Sequence, residues 1–118
     1  FYQKGIEVDS DNFSLLKNTL LLQLEFNSFV AAKNLSASSL EVFPAQPVLY
    51  LLNAKANNNL QGFKAAINAL ETGLDYLFDN AELEKEFYEQ LAVAYTGLGN
   101  TIKAANFAKK AAEILDSN

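Results

Sequence analysis

Apolar residues recur along most of the chain at intervals of three and four, which is the spacing of one face of an α-helix. The pattern predicts helices over about residues 13–26, 29–42, 48–58, 63–78, 81–96 and 101–115, after a short helical pattern in residues 1–8. Turn-forming or helix-breaking residues separate these stretches: Asp9–Asn12, Asn27–Ser28, Pro44, Pro47, Asn57–Asn59 with Gln61–Gly62, Asp79–Asn80 and Gly97–Asn100. Alternation of β-branched residues is absent, so the sequence predicts an all-α fold.

The clearest part of the pattern runs from Tyr88 to Ile114. Two helical segments flank a Gly-rich breaker, and small residues lie at helical spacings on both sides of it: Ala92, Ala94, Ala104, Ala108 and Ala111. Small side chains let two helix axes approach closely, so this stretch predicts a helical hairpin. One hairpin of this size cannot bury its own apolar face, which predicts further copies in the chain.

The copies are present at a regular spacing. Similar short segments at Gly5–Asp9, Ser39–Phe43 and Gly73–Leu77 follow one another at equal intervals, and a fourth at Ala111–Leu115 comes one helical turn later than that interval. Two further columns fall in the same frame, one at Ala32, Ala66 and Ala104 and one at Leu16, Tyr50 and Tyr88. Several independent columns therefore fix one register.

The last copy resembles the tetratricopeptide repeat, a helix-turn-helix unit whose period of about 34 residues matches the interval between the first three segments. The residues that carry the resemblance are Tyr88, Leu91, Ala92, Tyr95, Gly99, Ala104 and Ala111. The resemblance implies a right-handed α-α superhelix, a solenoid of antiparallel helix hairpins. We expect one domain over residues 1–118, with the end of a preceding repeat at 1–10 and three repeats at 11–46, 47–80 and 81–118.

The resemblance also implies a binding surface. In this family the first helix of each repeat lines the concave face, where extended peptides or partner helices lie. By register, the predicted partner-binding residues are Lys17, Leu21, Leu24, Val48, Leu51, Lys55, Asn58, Asn59, Glu86, Glu89 and Val93. They mix apolar anchors with amides that can hydrogen-bond a peptide backbone.

Composition removes several classes of function. The net charge is -5 and all nine basic residues are lysine, which argues against a nucleic-acid partner. The chain has no Cys and no His, so thiol nucleophiles, histidine-dependent triads and ordinary zinc sites are excluded, and no metal or cofactor is expected. The longest apolar run is far shorter than the roughly 20 residues of a membrane span. We expect a soluble chain without membrane insertion, in a compartment that the sequence does not specify.

Acidic residues are concentrated in the second half of the chain: Glu71, Asp75, Asp79, Glu82, Glu84, Glu86 and Glu89. Such a run is typical of a solvated helix face, and a preference for a basic partner is the alternative. Glu82, Glu86 and Glu89 lie on one helix face and could form an acid pair, but this spacing on an exposed helix does not predict an enzyme.

We therefore expect a non-catalytic scaffold that binds a peptide or a partner protein on its concave face. The alternative is a structural spacer or self-association segment of a larger multidomain protein. Residue 1 is Phe, which suggests a piece of a longer chain, and no polar helix follows Phe107, Ile114 and Leu115. Apolar ends of this kind favour contacts with flanking sequence or a homodimer.

Overall fold

The computed structural model describes the backbone of residues 2–116 and the side chains of residues 12–114. It contains six helices: α1 (Tyr2–Glu25), α2 (Phe29–Val42), α3 (Pro47–Asn59), α4 (Phe63–Leu74), α5 (Ala81–Gly97) and α6 (Thr101–Asp116). No strand occurs in residues 2–116. The all-α prediction is confirmed, and the helices form three successive antiparallel hairpins, α1–α2, α3–α4 and α5–α6.

The loops inside the three hairpins share one geometry. One residue just after each first helix has a left-handed backbone: Asn27 (φ 60°), Gln61 (φ 65°) and Gly99 (φ 80°). The next N–H in each loop reaches back to a carbonyl near the helix end: Ser28 N to Gln23 O at 2.7 Å, Gly62 N to Asn57 O at 2.7 Å, and Asn100 N to Tyr95 O at 2.9 Å. These bonds satisfy carbonyls that a helix end leaves free. The three left-handed loop residues are separated along the chain by the same intervals as the repeat columns of the sequence. The repeat boundaries at 11, 47 and 81 stay a prediction.

Helix α1 differs from the expectation. The sequence predicted a break at Asp9–Asn12, but α1 continues through these residues without interruption. Asp, Ser and Asn cost only about 0.5–0.7 kcal/mol each relative to Ala inside a helix. That cost does not end a helix whose pattern continues on both sides, so the predicted break is wrong.

Helix α4 is shorter than predicted because the chain tightens after Leu74. The Tyr76 and Leu77 N–H groups donate to the carbonyls of Gly73 and Leu74 at 3.0 and 3.2 Å, three residues back rather than four. Leu77 packs against the core, whereas Phe78 is 89% exposed. Helix α5 then begins as predicted after Asn80, whose side chain accepts a hydrogen bond from Leu83 N at 3.0 Å.

Helix α3 ends where the sequence predicts. The triple Asn57–Asn59 forms its last three residues, and the left-handed residue of the loop is Gln61. Asn57 is buried, and its Nδ2 donates to Asn53 O and Asn53 Oδ1, both at 3.0 Å.

Two apolar clusters hold the hairpins together. One joins α3 and α4 to α5 and contains Leu51, Ala54, Ala66, Ile67, Leu70, Phe87, Leu91 and Ala94. The other joins α1 and α2 to α3 and contains Leu20, Ala32, Leu49, Leu52 and Ala56. Buried alanines occur at the helix contacts in both, as the small-residue pattern predicted, so each hairpin is stabilised by its neighbour.

Candidate functional site: the concave face

The first helices of the hairpins lie side by side. Helix α3 packs against both α1 and α5, whereas in the described part of the chain no Cα atoms of α2 and α4, or of α4 and α6, lie within 8 Å of each other. The first helices are therefore closer to one another than the second helices are. The array curves toward α1, α3 and α5, and their inner surfaces together form the concave face.

Polar contacts connect α3 and α5 across this face. Lys55 Nζ lies 3.0 Å from Glu86 Oε1. One helical turn further on, Asn58 Nδ2 donates to Gln90 Oε1 at 2.9 Å and to Gln90 O at 3.2 Å. The Lys55–Glu86 pair is partly exposed and contributes at most about 1 kcal/mol, so its main effect is to fix the register of the two helices.

The predicted binding residues separate into groups by exposure. Leu21, Asn59, Glu89 and Val93 are exposed, and Lys17, Lys55 and Glu86 are partly exposed. Leu24 and Val48 are partly buried against the α1–α3 cluster. The exposed and partly exposed residues lie on α1, α3 and α5, so a partner on the concave face would be able to reach them.

Two of the predicted binding residues are buried in the structure. Leu51 is 2% exposed and belongs to the cluster that joins α3 and α4 to α5. Asn58 is also buried, and its amide holds α3 against α5. Both lie on the middle first helix, which is covered from two sides, so these side chains are used in packing α3 against its neighbours, and their contact with a partner stays a prediction.

Two further residues, Gln90 and Lys85, take part in polar contacts on α5. Gln90 accepts the hydrogen bonds from Asn58, and Lys85 Nζ lies 2.8 Å from Glu89 Oε2. The Lys85–Glu89 pair has the i,i+4 spacing of a helical ion pair, so the sequence did contain a signal for it. Gln90 could be identified only once the packing of α5 on α3 was known.

Two of the acidic residues on α5 each pair with a lysine. Glu86 and Glu89 point to different lysines, Lys55 and Lys85. Within the described residues, no group of three His, Cys, Asp or Glu side chains is placed to hold a metal ion.

Two tyrosines in the same repeat column have perturbed titration. The pKa of Tyr88 is raised first by burial and then by the charge of Glu84. The Tyr88 hydroxyl also donates a hydrogen bond to Glu84 Oε2 at 3.1 Å, which raises the pKa further. The pKa of Tyr50 is raised first by burial and then by the electrostatic effect of Tyr76. The Tyr50 hydroxyl donates to Pro44 O at 2.7 Å. Both phenols are therefore neutral hydrogen-bond donors near pH 7 rather than bases.

The last hairpin leaves an open surface. A cavity of about 390 Å³ lies between α5 and α6, lined by Lys85, Glu89, Ala92, Ala108, Ala111 and Ala112. In the preceding hairpin the position equivalent to Ala111 is Gly73, and Phe87 of α5 packs directly on it. The surface between α5 and α6 of the third hairpin is therefore equivalent to the surface of the second hairpin on which α5 packs.

Comparison with known proteins supports the fold. No protein-family model matches the chain, and no curated protein matches it. A solved structure of MamA from AMB-1 is similar, with a TM-score of 0.77 and 20% sequence identity. The similarity covers 98% of this chain and 66% of the MamA chain, so this chain spans slightly less than two thirds of that length.

None of the described helices combines the length and the apolar character that crossing a bilayer requires.

MamA is a tetratricopeptide-like helical repeat protein. The chain therefore has a tetratricopeptide-like fold, an all-α array of helix hairpins.

Proposed function

We propose that this chain belongs to the tetratricopeptide family and acts as a non-catalytic scaffold that binds a peptide or a partner protein on its concave face. The observation that carries the proposal is a pair of apolar residues in one register column. Leu21 on α1 is 45% exposed and Val93 on α5 is 46% exposed. Exposed apolar side chains at equivalent positions of the first and last hairpins are suitable anchors for one extended ligand.

Polar groups between these anchors support the same proposal. Asn59 is exposed, and its Nδ2 donates to Lys55 O at 2.8 Å, while an amide oxygen such as its Oδ1 is the type of group that accepts a ligand N–H. Lys55 and Glu86 supply charges of both signs nearby. An extended peptide presents backbone donors and acceptors in alternation, which this mixture of groups can satisfy.

The proposal predicts a clear effect of charge at the anchors. Leu21→Asp and Val93→Asp should each reduce affinity capture of the partner at least about tenfold, because a carboxylate replaces an apolar contact. Val30→Asp is the matched control, since Val30 on α2 is 59% exposed but lies outside the concave face. Quantitative mass spectrometry after capture from the source cells makes the comparison. Equal capture by Val93→Asp and Val30→Asp would count against the concave face.

A non-catalytic role is supported by the side chains present. The chain has no Cys and no His. The Glu86 and Glu89 carboxylates are each within 3.0 Å of a lysine nitrogen. Each carboxylate thus has its own cation, and the pair is not arranged as an acid and a base that share a substrate.

A second candidate is a structural role in which copies associate end to end. Leu15 on α1 occupies the same register position as Leu49 and Phe87. Leu49 and Phe87 are fully buried in the two interhelix clusters, whereas Leu15 is 66% exposed. The open cavity on α5 and α6 is the matching surface, so Leu15 of one copy could occupy the cavity of the next.

Paired variants test this second candidate. Leu15→Asp and Ala108→Glu alter exposed residues on opposite ends of the array. We expect an associating parent, two monomeric variants, and a dimer but no longer chain in their equimolar mixture, because only one compatible pair of ends remains. Light scattering distinguishes these sizes. A monomeric parent, or a mixture that stays monomeric, would contradict the end-to-end role.

A further inference from the structure

A groove lies between the second helices α4 and α6, on the convex side of the array. In the described residues, no Cα atom of α4 lies within 8 Å of a Cα atom of α6. The space between them has a volume of about 450 Å³, within the range of ligand sites in proteins. It is lined by Glu71, Tyr95, Lys103, Asn106, Phe107, Lys109, Lys110 and Glu113. Most of these residues come from α6, so one helix supplies most of the groove's chemistry.

The floor of the groove is aromatic. The Phe107 ring stacks on Tyr95 with centroids 5.7 Å apart and planes at 5°, and on Tyr88 with centroids 5.9 Å apart and planes at 28°. Lys103 Nζ lies 5.3 Å from the centre of the Tyr95 ring, and Lys110 Nζ lies 5.4 Å from that of Phe107. Ring faces attract ammonium groups, so the two lysine side chains are held in place along the groove.

Among the side chains of residues 12–114, the lysines of the groove form no salt bridge. Within the described residues the salt bridges are Lys55–Glu86 and Lys85–Glu89, and neither involves α6. Lys103, Lys109 and Lys110 thus keep their charge available although the whole chain carries -5. Glu71 and Glu113 also line the groove, which leaves it one positive charge in excess. This balance favours a ligand with few acidic groups over a polyanion.

We propose that this groove binds a short acidic segment of a partner protein, with two carboxylates that pair with Lys103 and Lys110. The two lysines are seven residues apart on α6, which is about 10.5 Å along a helix axis. A peptide in the polyproline II conformation advances about 3.1 Å per residue with three residues per turn, so two acidic residues three positions apart lie on the same face and span about 9 Å. An apolar side chain between them would lie over Phe107, and the Asn106 amide can hydrogen-bond the peptide backbone.

The test uses two capped synthetic peptides of identical composition. In one, two glutamates are three positions apart with a leucine between them; in the other, the glutamates are adjacent. Amide shifts of the full chain, followed by NMR during titration, report the site and the affinity. We expect the spaced peptide to shift α6 amides and to bind about threefold more tightly than the adjacent one. Equal affinities of the two peptides would overturn the proposal. Amide shifts confined to α1, α3 and α5 would also overturn it, but that result would leave the concave-face proposal intact.

Charge variants identify the residues responsible. Lys103→Gln and Lys110→Gln should each weaken binding of the spaced peptide about threefold, while Lys33→Gln on α2 should leave it unchanged. Glu71→Lys should strengthen binding, because it removes the carboxylate on the opposite wall, whereas Glu41→Lys on α2 is its control. All five residues are exposed, so folding should be retained. Effects of the same size in the groove variants and in the α2 controls would mean that net charge alone is responsible, which contradicts a defined site.

Discussion

Replacing Phe87 with alanine is expected to lower the free energy of unfolding by about 3–5 kcal/mol, the usual cost of emptying a buried phenylalanine site. Phe87 is fully buried, and its ring packs on the backbone of Gly73: a Cβ placed on that glycine would lie 2.7 Å from Phe87 Cε2. The ring joins the second hairpin to the third. A domain of ordinary stability has about 5–15 kcal/mol in total, so the variant should be close to unfolding.

The matched control for this variant is Phe78→Ala. It removes the same kind of side chain from a position that is 89% exposed, so the expected change is within about 0.5 kcal/mol. Urea denaturation followed by circular dichroism measures both. Similar losses for Phe87→Ala and Phe78→Ala would mean that the hairpins are not held together in the way described.

Replacing Leu51 with aspartate should prevent stable folding. The side chain is 2% exposed in the cluster that joins α3 and α4 to α5. The change removes a core contact worth about 2–5 kcal/mol and also places a charge among apolar groups. Circular dichroism should show most of the helix signal lost under conditions in which the parent chain is folded.

Leu21→Asp is the informative comparison for Leu51→Asp. Sequence register placed both leucines on the concave face, but Leu21 is 45% exposed. We expect Leu21→Asp to keep the helix signal and to affect partner binding alone. A Leu51→Asp protein that stays folded but loses its partner would support the prediction that Leu51 binds the partner. It would contradict the burial of Leu51 between α3, α4 and α5.

Much of the architecture follows from local sequence signals. The hairpin loops were predictable because Asn27 and Gly99 tolerate the left-handed backbone that a helix end requires. Asn80 was recognisable as a cap because its side chain precedes a helical pattern. The repeat columns, such as the one at Ala32, Ala66 and Ala104, then related the three hairpins to one another.

Other features depend on packing that no local signal specifies. Asp9–Asn12 contain the residue types that cap a helix start, but α1 continues through them. An N-cap stabilises a helix start by only about 1 kcal/mol. Leu51 shares a register column with Lys17 and Glu89, and only Leu51 is apolar. That contrast hints at burial, but its extent depends on the neighbours that cover α3 on both sides.

The convex groove shows a third case, in which the signal was present but ambiguous. Lys103, Phe107 and Lys110 have the spacing of one helix face, which also occurs on ordinary solvated helices. The three residues become a candidate site only because Tyr95 of α5 stacks on Phe107 and because α4 does not close the space.

Site-specific photo-crosslinking tests the central claim, binding of a protein partner on the concave face, most directly. A photo-crosslinking amino acid is placed at Val93 on α5 in one variant and at Val30 on α2 in another, both of them exposed positions. Irradiation in the source cells, followed by mass spectrometry, identifies the adducts. We predict a defined protein adduct from position 93 that is absent from position 30. No adduct at position 93, or the same adducts at both positions, would contradict the proposal.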